Sequence, residues 1–228
     1  ENESSIKLKW IKKVENLEIY DFIILPGSKQ TIKDQIFLEE SGLSKELRSY
    51  SLGKGNIIGI CGGLQMLGER LKDPYLKEGL NNNFLKSEIN GIGILPLKTV
   101  FNRKKITRQV NCRSLWPCEA TINGFEIHNG KSDIVYKNMD LKIMPLFEDD
   151  NLGWYFENNN GGSIVGTYIH GIFENDLWRE SYINLIRNKK ELPILEKKIK
   201  NYKIKRDSII ENLATQFNKY IDLSEFLT

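Results

Sequence analysis

Cysteine and histidine are scarce in this sequence of 228 residues, which contains three cysteines and two histidines. The cysteines form no disulfide-rich pattern, so we expect a protein of the reducing cytosol. Cys112 and Cys118 belong to no paired CxxC motif, and we therefore expect no bound metal. A catalytic imidazole, if the protein uses one, has only two candidates, His128 and His170.

Long apolar runs, strong net charge and a phosphate-binding loop are also missing. No apolar stretch approaches the roughly 20 residues of a membrane span, and no signal peptide is recognisable. The net charge is only +3, so we expect neither a membrane nor a nucleic acid as partner. The motif G-x-x-x-x-G-K-[ST] is absent, which argues against ATP binding by these residues. Because the first residue is Glu1, we expect a processed piece or an excised domain.

Strands and helices alternate in the first 75 residues, in the predicted order β-β-α-β-α. Apolar runs that stop at Pro or Gly are typical of buried parallel strands, and spacings of three and four indicate helices. The predicted strands are 6–11, 20–25 and 56–60, and the predicted helices run from Thr31 to about Tyr50, with a break near Gly42, and from Gly63 to Leu71. This alternation predicts an α/β fold with helices on the faces of a mostly parallel sheet.

The middle of the chain has a different pattern, in which short β-like stretches are separated by Gly, Asn and Asp. We interpret it as a β-rich insertion, followed by another buried strand and two helices. The predicted strands are 92–101, 106–115, 121–128, 141–147, 152–156 and 163–169, and the predicted helices are 176–188 and 203–220. No linker is rich enough in Pro, Gly or Ser to require a second domain, so residues 1–228 are predicted to form one.

Cys61 lies in the stretch GICGG, where a predicted buried strand turns into a helix. A residue on such a turn projects above the carboxyl edge of the sheet, as in a nucleophile elbow. Flanking glycines allow the strained turn and the close approach of neighbouring chain segments. The following helix directs its N-terminus at the sulfur and favours the thiolate. This context favours a nucleophile over a small buried core cysteine.

A nucleophilic thiol usually works with a general base. His170 ends a predicted buried strand in GTYIHGIF, which places it at the same sheet edge as Cys61. His128 lies in GFEIHNG, within the β-rich middle, where a structural role is the better interpretation.

Several stretches, in this order along the chain, resemble the class I, or triad, glutamine amidotransferases, and within them the cobyric acid synthase family of cobalamin biosynthesis. The cobyrinic acid a,c-diamide synthases share the Cys and His motifs. The similar stretches are LPGSKQTIKD (25–34), GICGGLQMLG (59–68), DPYLKEG (73–79), GIGILPLKTVF (91–101), GFEIHNG (124–130) and GTYIHGIFEND (166–176). The resemblance covers nearly the whole chain and implies a flavodoxin-like class I amidotransferase fold.

The resemblance also implies roles for individual residues. Cys61 would attack the side-chain amide of glutamine and form a γ-glutamyl thioester, and His170 would protonate the leaving ammonia and then activate water. The N–H of Gly62 and backbone N–H groups of Gly27 and Ser28 would form the oxyanion hole. Gln65 would help to hold glutamine.

One departure from the family pattern concerns the third member of the triad. The broader family has an acid two residues after the histidine, where this sequence has Ile172. Either another acid orients His170, with Glu174 and Glu126 as candidates, or a Cys–His dyad suffices.

The resemblance further implies that half of an enzyme lies elsewhere. An N-terminal synthase domain of the same protein would bind ATP, Mg²⁺ and the corrinoid acceptor, adenosylcobyrinic acid a,c-diamide, while the present chain would need no cofactor. Its partners would be glutamine and that domain. The alternatives are the glutaminase domain of a cobyrinic acid a,c-diamide synthase or of a cell-wall lipid amidotransferase, a cysteine hydrolase or peptidase, and a degenerate domain that only docks.

Overall fold

The computed structural model describes residue 3 and residues 5–76, 87–135, 142–195 and 202–220. Within them the chain forms twelve strands and five α-helices. The strands are β1 Ile23–Leu25, β2 Ile57–Ile60, β3 Arg70–Lys72, β4 Glu88–Asn90, β5 Leu97–Val100, β6 Ile106–Ser114, β7 Ala120–His128, β8 Lys131–Ile134, β9 Met144–Pro145, β10 Gly153–Glu157, β11 Ser163–Thr167 and β12 Ile169–His170. The helices are α1 Thr31–Glu40, α2 Leu43–Leu52, α3 Gly62–Leu67, α4 Asp176–Lys189 and α5 Tyr202–Tyr220.

A five-stranded sheet with the order β1-β2-β11-β10-β9 forms the centre of the fold. β2 pairs in parallel with β1 on one side and with β11 on the other. β10 joins β11 antiparallel, and β9 joins β10 antiparallel. The sheet is therefore parallel where β1, β2 and β11 meet and antiparallel at its other edge.

Both faces of this sheet are buried, as the apolar runs in its strands predict. Ile57 of β2 belongs to a hydrophobic cluster that contains residues of α2 and α3. The next residue, Ile58, belongs to a second cluster, which contains Trp178 and Tyr182 of α4. Since successive side chains of a strand point to opposite faces, α2 and α3 cover one face and α4 covers the other.

Two smaller antiparallel or mixed sheets flank the centre, with the orders β12-β7-β6 and β4-β3-β5-β8. The long hairpin of β6 and β7 contributes most of the first of them, and β12 adds the two residues that follow β11 almost directly. These sheets account for the β-rich middle of the sequence. The predicted fold class, an α/β fold of the class I amidotransferase type, is confirmed.

Several predicted elements differ from the observed ones. Residues 6–11 alternate in polarity but form no strand, and β3, β4 and β8 were not predicted. The helix predicted over 63–71 ends at Leu67, because the N–H of Gly68 caps it by donating to the Gln65 carbonyl at 3.1 Å. The first 72 residues therefore have the order β-α-α-β-α-β.

The apolar side chains of α5 at Ile209, Ile210, Leu213 and Phe217 are at least half exposed. Among the helices in the described part of the chain, none has the length and apolarity of a membrane span.

Candidate active site

Cys61 occupies the sharp turn between β2 and α3. Its φ of 52° lies in the left-handed region, which a non-glycine residue rarely adopts. The Cys61 N–H donates to the Thr167 carbonyl at 2.7 Å, and the Cys61 carbonyl accepts from the Gln65 N–H at 3.1 Å. Strained conformations of this kind persist only where surrounding structure enforces them, and they cluster at functional sites.

Glycine at position 63 allows the start of α3 to lie directly against β1. A Cβ on Gly63 would lie 2.0 Å from the Leu25 carbonyl oxygen, and one on Gly59 would lie 2.7 Å from the Gly63 carbonyl oxygen. No side chain fits either position without displacing backbone. The glycines near Cys61 in sequence therefore determine how closely the turn at Cys61 packs against β1 and β2.

The structure brings His170 to the same edge as Cys61, as its position at the end of a predicted parallel strand indicates. β11 runs parallel to β2, with Thr167 opposite Ile60, and β12 continues it to His170. A Cβ on Gly27 would lie 3.2 Å from His170 Cε1 and 3.8 Å from Cys61 Cβ. The turn after β1 therefore lies next to both side chains.

The environment of His170 favours the neutral imidazole. Burial lowers its pKa, the Ile127 backbone carbonyl opposes this shift, and the charge of His128 adds to the lowering. The ring stacks in parallel with Phe125, with centroids 5.3 Å apart. Its Nε2 is buried and has no hydrogen-bond partner among the described residues. An unprotonated Nε2 can accept a proton from a thiol or from water.

The three residues predicted to form an oxyanion hole lie close together. A Cβ on Gly62 would be 2.8 Å from the Ser28 nitrogen, so these two backbone segments are adjacent. The Ser28 hydroxyl donates to Asp34 Oδ2 at 2.5 Å and accepts from the Gln30 N–H at 2.9 Å. These bonds hold the turn after Gly27 in place, as an oxyanion hole formed by its N–H groups requires.

Gln65 lies in the interior beneath the elbow. Thr31 Oγ1 donates to its Oε1 at 3.4 Å, and its Nε2 donates to the Tyr168 hydroxyl at 3.4 Å. The Tyr168 hydroxyl is also 2.6 Å from Ser132 Oγ, which in turn is 2.6 Å from Thr99 Oγ1. These internal bonds, which the sequence did not reveal, make Gln65 part of a buried polar network.

Neither candidate acid is brought to His170. Glu126 Oε1 lies 2.7 Å from His128 Nε2, and its Oε2 accepts from Arg108 Nε at 2.5 Å. Glu174 accepts from Arg206 at 3.2 Å. Among the described residues, no carboxylate hydrogen-bonds the His170 ring. The position of Ile172, two residues after the histidine, is likewise filled by a buried apolar side chain.

A backbone group that sequence reasoning missed contacts Cys61. The Cys61 thiol donates to the Ile127 carbonyl at 3.4 Å. A hydrogen bond to the same carbonyl raises the pKa of His170. A carbonyl oxygen has no signature in a sequence. The only available signal was the position of Ile127 inside the stretch GFEIHNG.

The other two cysteines lie away from the elbow. Both pack at the edge of the cluster that α4 covers. Burial raises the pKa of Cys112 to about 11, with Asp149 and Glu148 contributing. In the described part of the chain no three His, Cys, Asp or Glu side chains come together as a possible metal site.

Comparison with known proteins identifies similar sequences over the whole chain. Residues 1–178 match the family model of the CobB/CobQ-like glutamine amidotransferase domain. The chain is 64% identical over 228 residues to the cobyric acid synthase of Prochlorococcus marinus strain MIT 9215 and 63% identical to that of strain MIT 9301. It covers all of its own length but 45% of each of these proteins. The resemblance found in the sequence motifs is thereby confirmed.

Solved structures with the same fold are much less similar in sequence. One, described as a glutamine amidotransferase, superposes with a TM-score of 0.57 at 16% identity, over 81% of this chain and 88% of its own. The PurLQS structure from Thermotoga maritima gives a TM-score of 0.52 at 15% identity, over 80% and 85% of the two chains. Both support the fold alone.

Proposed function

Because the chain belongs to the CobB/CobQ-like glutamine amidotransferase domain family, we propose that Cys61 and His170 hydrolyse glutamine and supply ammonia to the rest of a cobyric acid synthase. The chain spans less than half the length of the curated relatives that it matches. The acceptor reaction, an ATP-dependent amidation of side-chain carboxylates of adenosylcobyrinic acid a,c-diamide, would belong to the remaining part of the protein, together with Mg²⁺.

The observation that carries this proposal is the strained elbow beside a half-buried imidazole. Cys61 has a φ of 52°, and the ring of His170 presents an Nε2 that has no partner among the described residues. A thiol next to an unprotonated ring nitrogen is the arrangement that nucleophilic catalysis requires. The adjacent backbone of Gly62 and Ser28 supplies N–H groups for charge that develops on an oxygen.

In the first half of the proposed reaction, the Cys61 proton passes to His170 Nε2. The thiolate attacks the side-chain carbonyl carbon of glutamine, and the C–O π electrons move to the oxygen, which the backbone N–H groups of Gly62 and the Gly27-Ser28 turn stabilise. The oxyanion then collapses, the C–N bond breaks, and the imidazolium of His170 returns its proton to the leaving nitrogen. The products are ammonia and a γ-glutamyl thioester.

In the second half, water replaces the amine. His170 Nε2 accepts a proton from water as the oxygen attacks the thioester carbonyl. Collapse of the second tetrahedral intermediate breaks the C–S bond, and the imidazolium returns its proton to the thiolate of Cys61. Glutamate leaves and the free enzyme is restored. The neutral imidazole that burial favours is the form both proton acceptances need.

The test separates the nucleophile from the other cysteines. Cys61→Ala and the matched control Cys118→Ala are compared in glutamine hydrolysis, with ammonia release and circular dichroism measured on the same samples. We expect loss of hydrolysis in the first variant and wild-type turnover in the second. Near-normal turnover by a folded Cys61→Ala protein would refute the assignment.

The acceptor reaction is tested in the full-length protein. We expect amidation of the corrinoid, followed by mass, to fail with glutamine in the Cys61→Ala variant and to persist when ammonium replaces glutamine. Failure with both nitrogen sources, while the wild-type protein uses both, would show that Cys61 has a role beyond glutamine hydrolysis.

A further inference from the structure

The Ile127 carbonyl is available to the site because a strand pairing ends beside it. β12 pairs with β7 through Ile169 opposite Glu126 and His170 opposite Phe125. Ile127 lies one residue beyond this pairing, whereas on its other side β7 continues to pair with β6. The carbonyl that would be next in the ladder is thus left to face the elbow, where it accepts from the Cys61 thiol at 3.4 Å.

The residues on both sides of Ile127 form a buried hydrogen-bonded pair. Glu126 and His128 lie on the same face of β7, two residues apart, and are 4% and 6% exposed. His128 Nε2 is 2.7 Å from Glu126 Oε1, and its Nδ1 is 2.7 Å from the Gly130 carbonyl. Arg108 binds the second carboxylate oxygen of Glu126.

Both ring nitrogens of His128 are hydrogen-bonded, one to the Gly130 carbonyl and the other to Glu126. Separating the two side chains would leave buried polar groups without partners, which is costly. The ring is also stacked on Tyr168, with centroids 3.8 Å apart. The backbone from Glu126 to Gly130 is therefore held at several points.

We propose that the Ile127 carbonyl replaces the orienting acid of a triad, and that the Glu126–His128 pair holds this carbonyl in place. The proposal rests on the function proposed above. In this arrangement His170 Nδ1–H donates to the Ile127 carbonyl, which leaves Nε2 as the basic nitrogen. Glu126 and His128 are positioning residues, since they act through the backbone between them.

A carbonyl orients the imidazole but stabilises its protonated form less than a carboxylate does. The surroundings of His170 agree, because burial and the charge of His128 outweigh the opposing effect of the Ile127 carbonyl and lower the pKa. A less stabilised imidazolium is a stronger acid toward the departing ammonia. The titratable groups next to this ring are Cys61 on the elbow and His128 on β7, whereas Glu174, near Gly171, is bound to Arg206.

The test compares His128→Gln and Glu126→Gln with the matched control Glu174→Gln. Glutaminase kcat and KM are measured, and so is the titration of His170 by NMR, which needs no turnover. The sequence has two histidines, so the His128→Gln variant leaves His170 as the only imidazole signal, and the second wild-type signal is assigned by difference.

We expect kcat to fall about 10- to 100-fold in the first two variants with KM nearly unchanged, as for a displacement of order 1 Å. In Glu126→Gln, which keeps His128, the pKa of His170 should fall further, because the hydrogen bond to the Ile127 carbonyl that raises it is weakened. Glu174→Gln should retain wild-type kcat. Arg108→Gln changes the exposed residue that binds Glu126 and should lower kcat by a smaller factor. It replaces the two buried variants in the test if they do not fold.

A folded His128→Gln protein with wild-type kcat, or a folded Glu126→Gln protein with an unmoved His170 titration, would overturn the proposal. So would a loss of kcat in Glu174→Gln as large as that in Glu126→Gln, since it would identify Glu174 as the orienting acid. If the wild-type protein does not hydrolyse glutamine, the proposed function is wrong. The NMR comparison would still test the contact between β7 and His170.

Discussion

Replacing Gly63 by alanine should disable the site through backbone displacement. A Cβ at this position would lie 2.0 Å from the Leu25 carbonyl oxygen, and real Cβ atoms essentially never come closer than 3.0 Å to another heavy atom. The start of α3 and β1 must therefore separate by about 1 Å. Both segments consist of backbone that is hydrogen-bonded in the core, so no flexible side chain can absorb the change.

Two consequences differ in size. Overpacking of this kind lowers the free energy of unfolding by about 1–3 kcal/mol, and by more where backbone has to move. A shift of about 1 Å in a reacting group lowers turnover by about 100-fold. We therefore expect a folded but less stable Gly63→Ala protein with glutaminase kcat reduced about 100-fold.

Gly161→Ala is the matched control. Gly161 has a φ of +87°, and a Cβ there would meet no atom within 4 Å. Strain in the left-handed region costs about 1–2 kcal/mol, so this variant loses stability without moving the elbow. Urea unfolding and ammonia release are measured for both variants. A Gly63→Ala protein with the kcat of Gly161→Ala would refute the argument from close approach.

Three further predictions concern reactivity, pH and the isolated chain. An electrophilic glutamine analogue, followed by peptide mass spectrometry, should label Cys61 and spare Cys112, because a pKa raised from 9.0 to about 11 leaves Cys112 about a hundredfold less thiolate. The acid limb of kcat/KM should lie below pH 6.5, because the pKa of His170 is lowered from that value and its basic form persists to lower pH. The isolated chain, given glutamine, ATP, Mg²⁺ and the corrinoid acid, should form no amidated product by mass, because no phosphate-binding loop was found in its sequence.

Cys61 and His170 could be predicted because their signals are local. Each follows an apolar run that stops abruptly at glycine, and parallel strands place their carboxyl ends at one edge. The helices α1, α2, α4 and α5 were predicted within a few residues for the same reason, since helical spacing is visible within one segment.

The elements that were missed depend on pairing between distant segments. β3 has three residues, Arg70–Lys72, and is a strand only because β4 and β5 flank it. Residues 6–11 alternate in polarity as a strand would, but have no strand beside them among the described residues. Alternation indicates a half-buried surface, and a strand forms only where a neighbour completes its hydrogen bonds.

The surroundings of the two catalytic candidates were unpredictable for a related reason. The Ile127 carbonyl is 66 residues from Cys61, and the Tyr168 hydroxyl is 103 residues from the Gln65 amide that it accepts from. The two acids proposed to orient His170 are engaged elsewhere, Glu126 by His128 and Arg108, and Glu174 by Arg206. Closeness in sequence on a strand places a side chain on a face but does not select its partner.

The register of two parallel strands sets the distance between Cys61 and His170, the proposed nucleophile and base. Thr167 lies opposite Ile60, and the Cys61 N–H donates to the Thr167 carbonyl at 2.7 Å. His170 follows three residues later, so its position relative to Cys61 is determined by main-chain hydrogen bonds before any side chain contributes. A shift of one residue between β2 and β11 would turn the following side chains to the opposite face. The buried residues that fix this register, Ile58 and Val165, are therefore as necessary to the site's geometry as an orienting acid is in a triad.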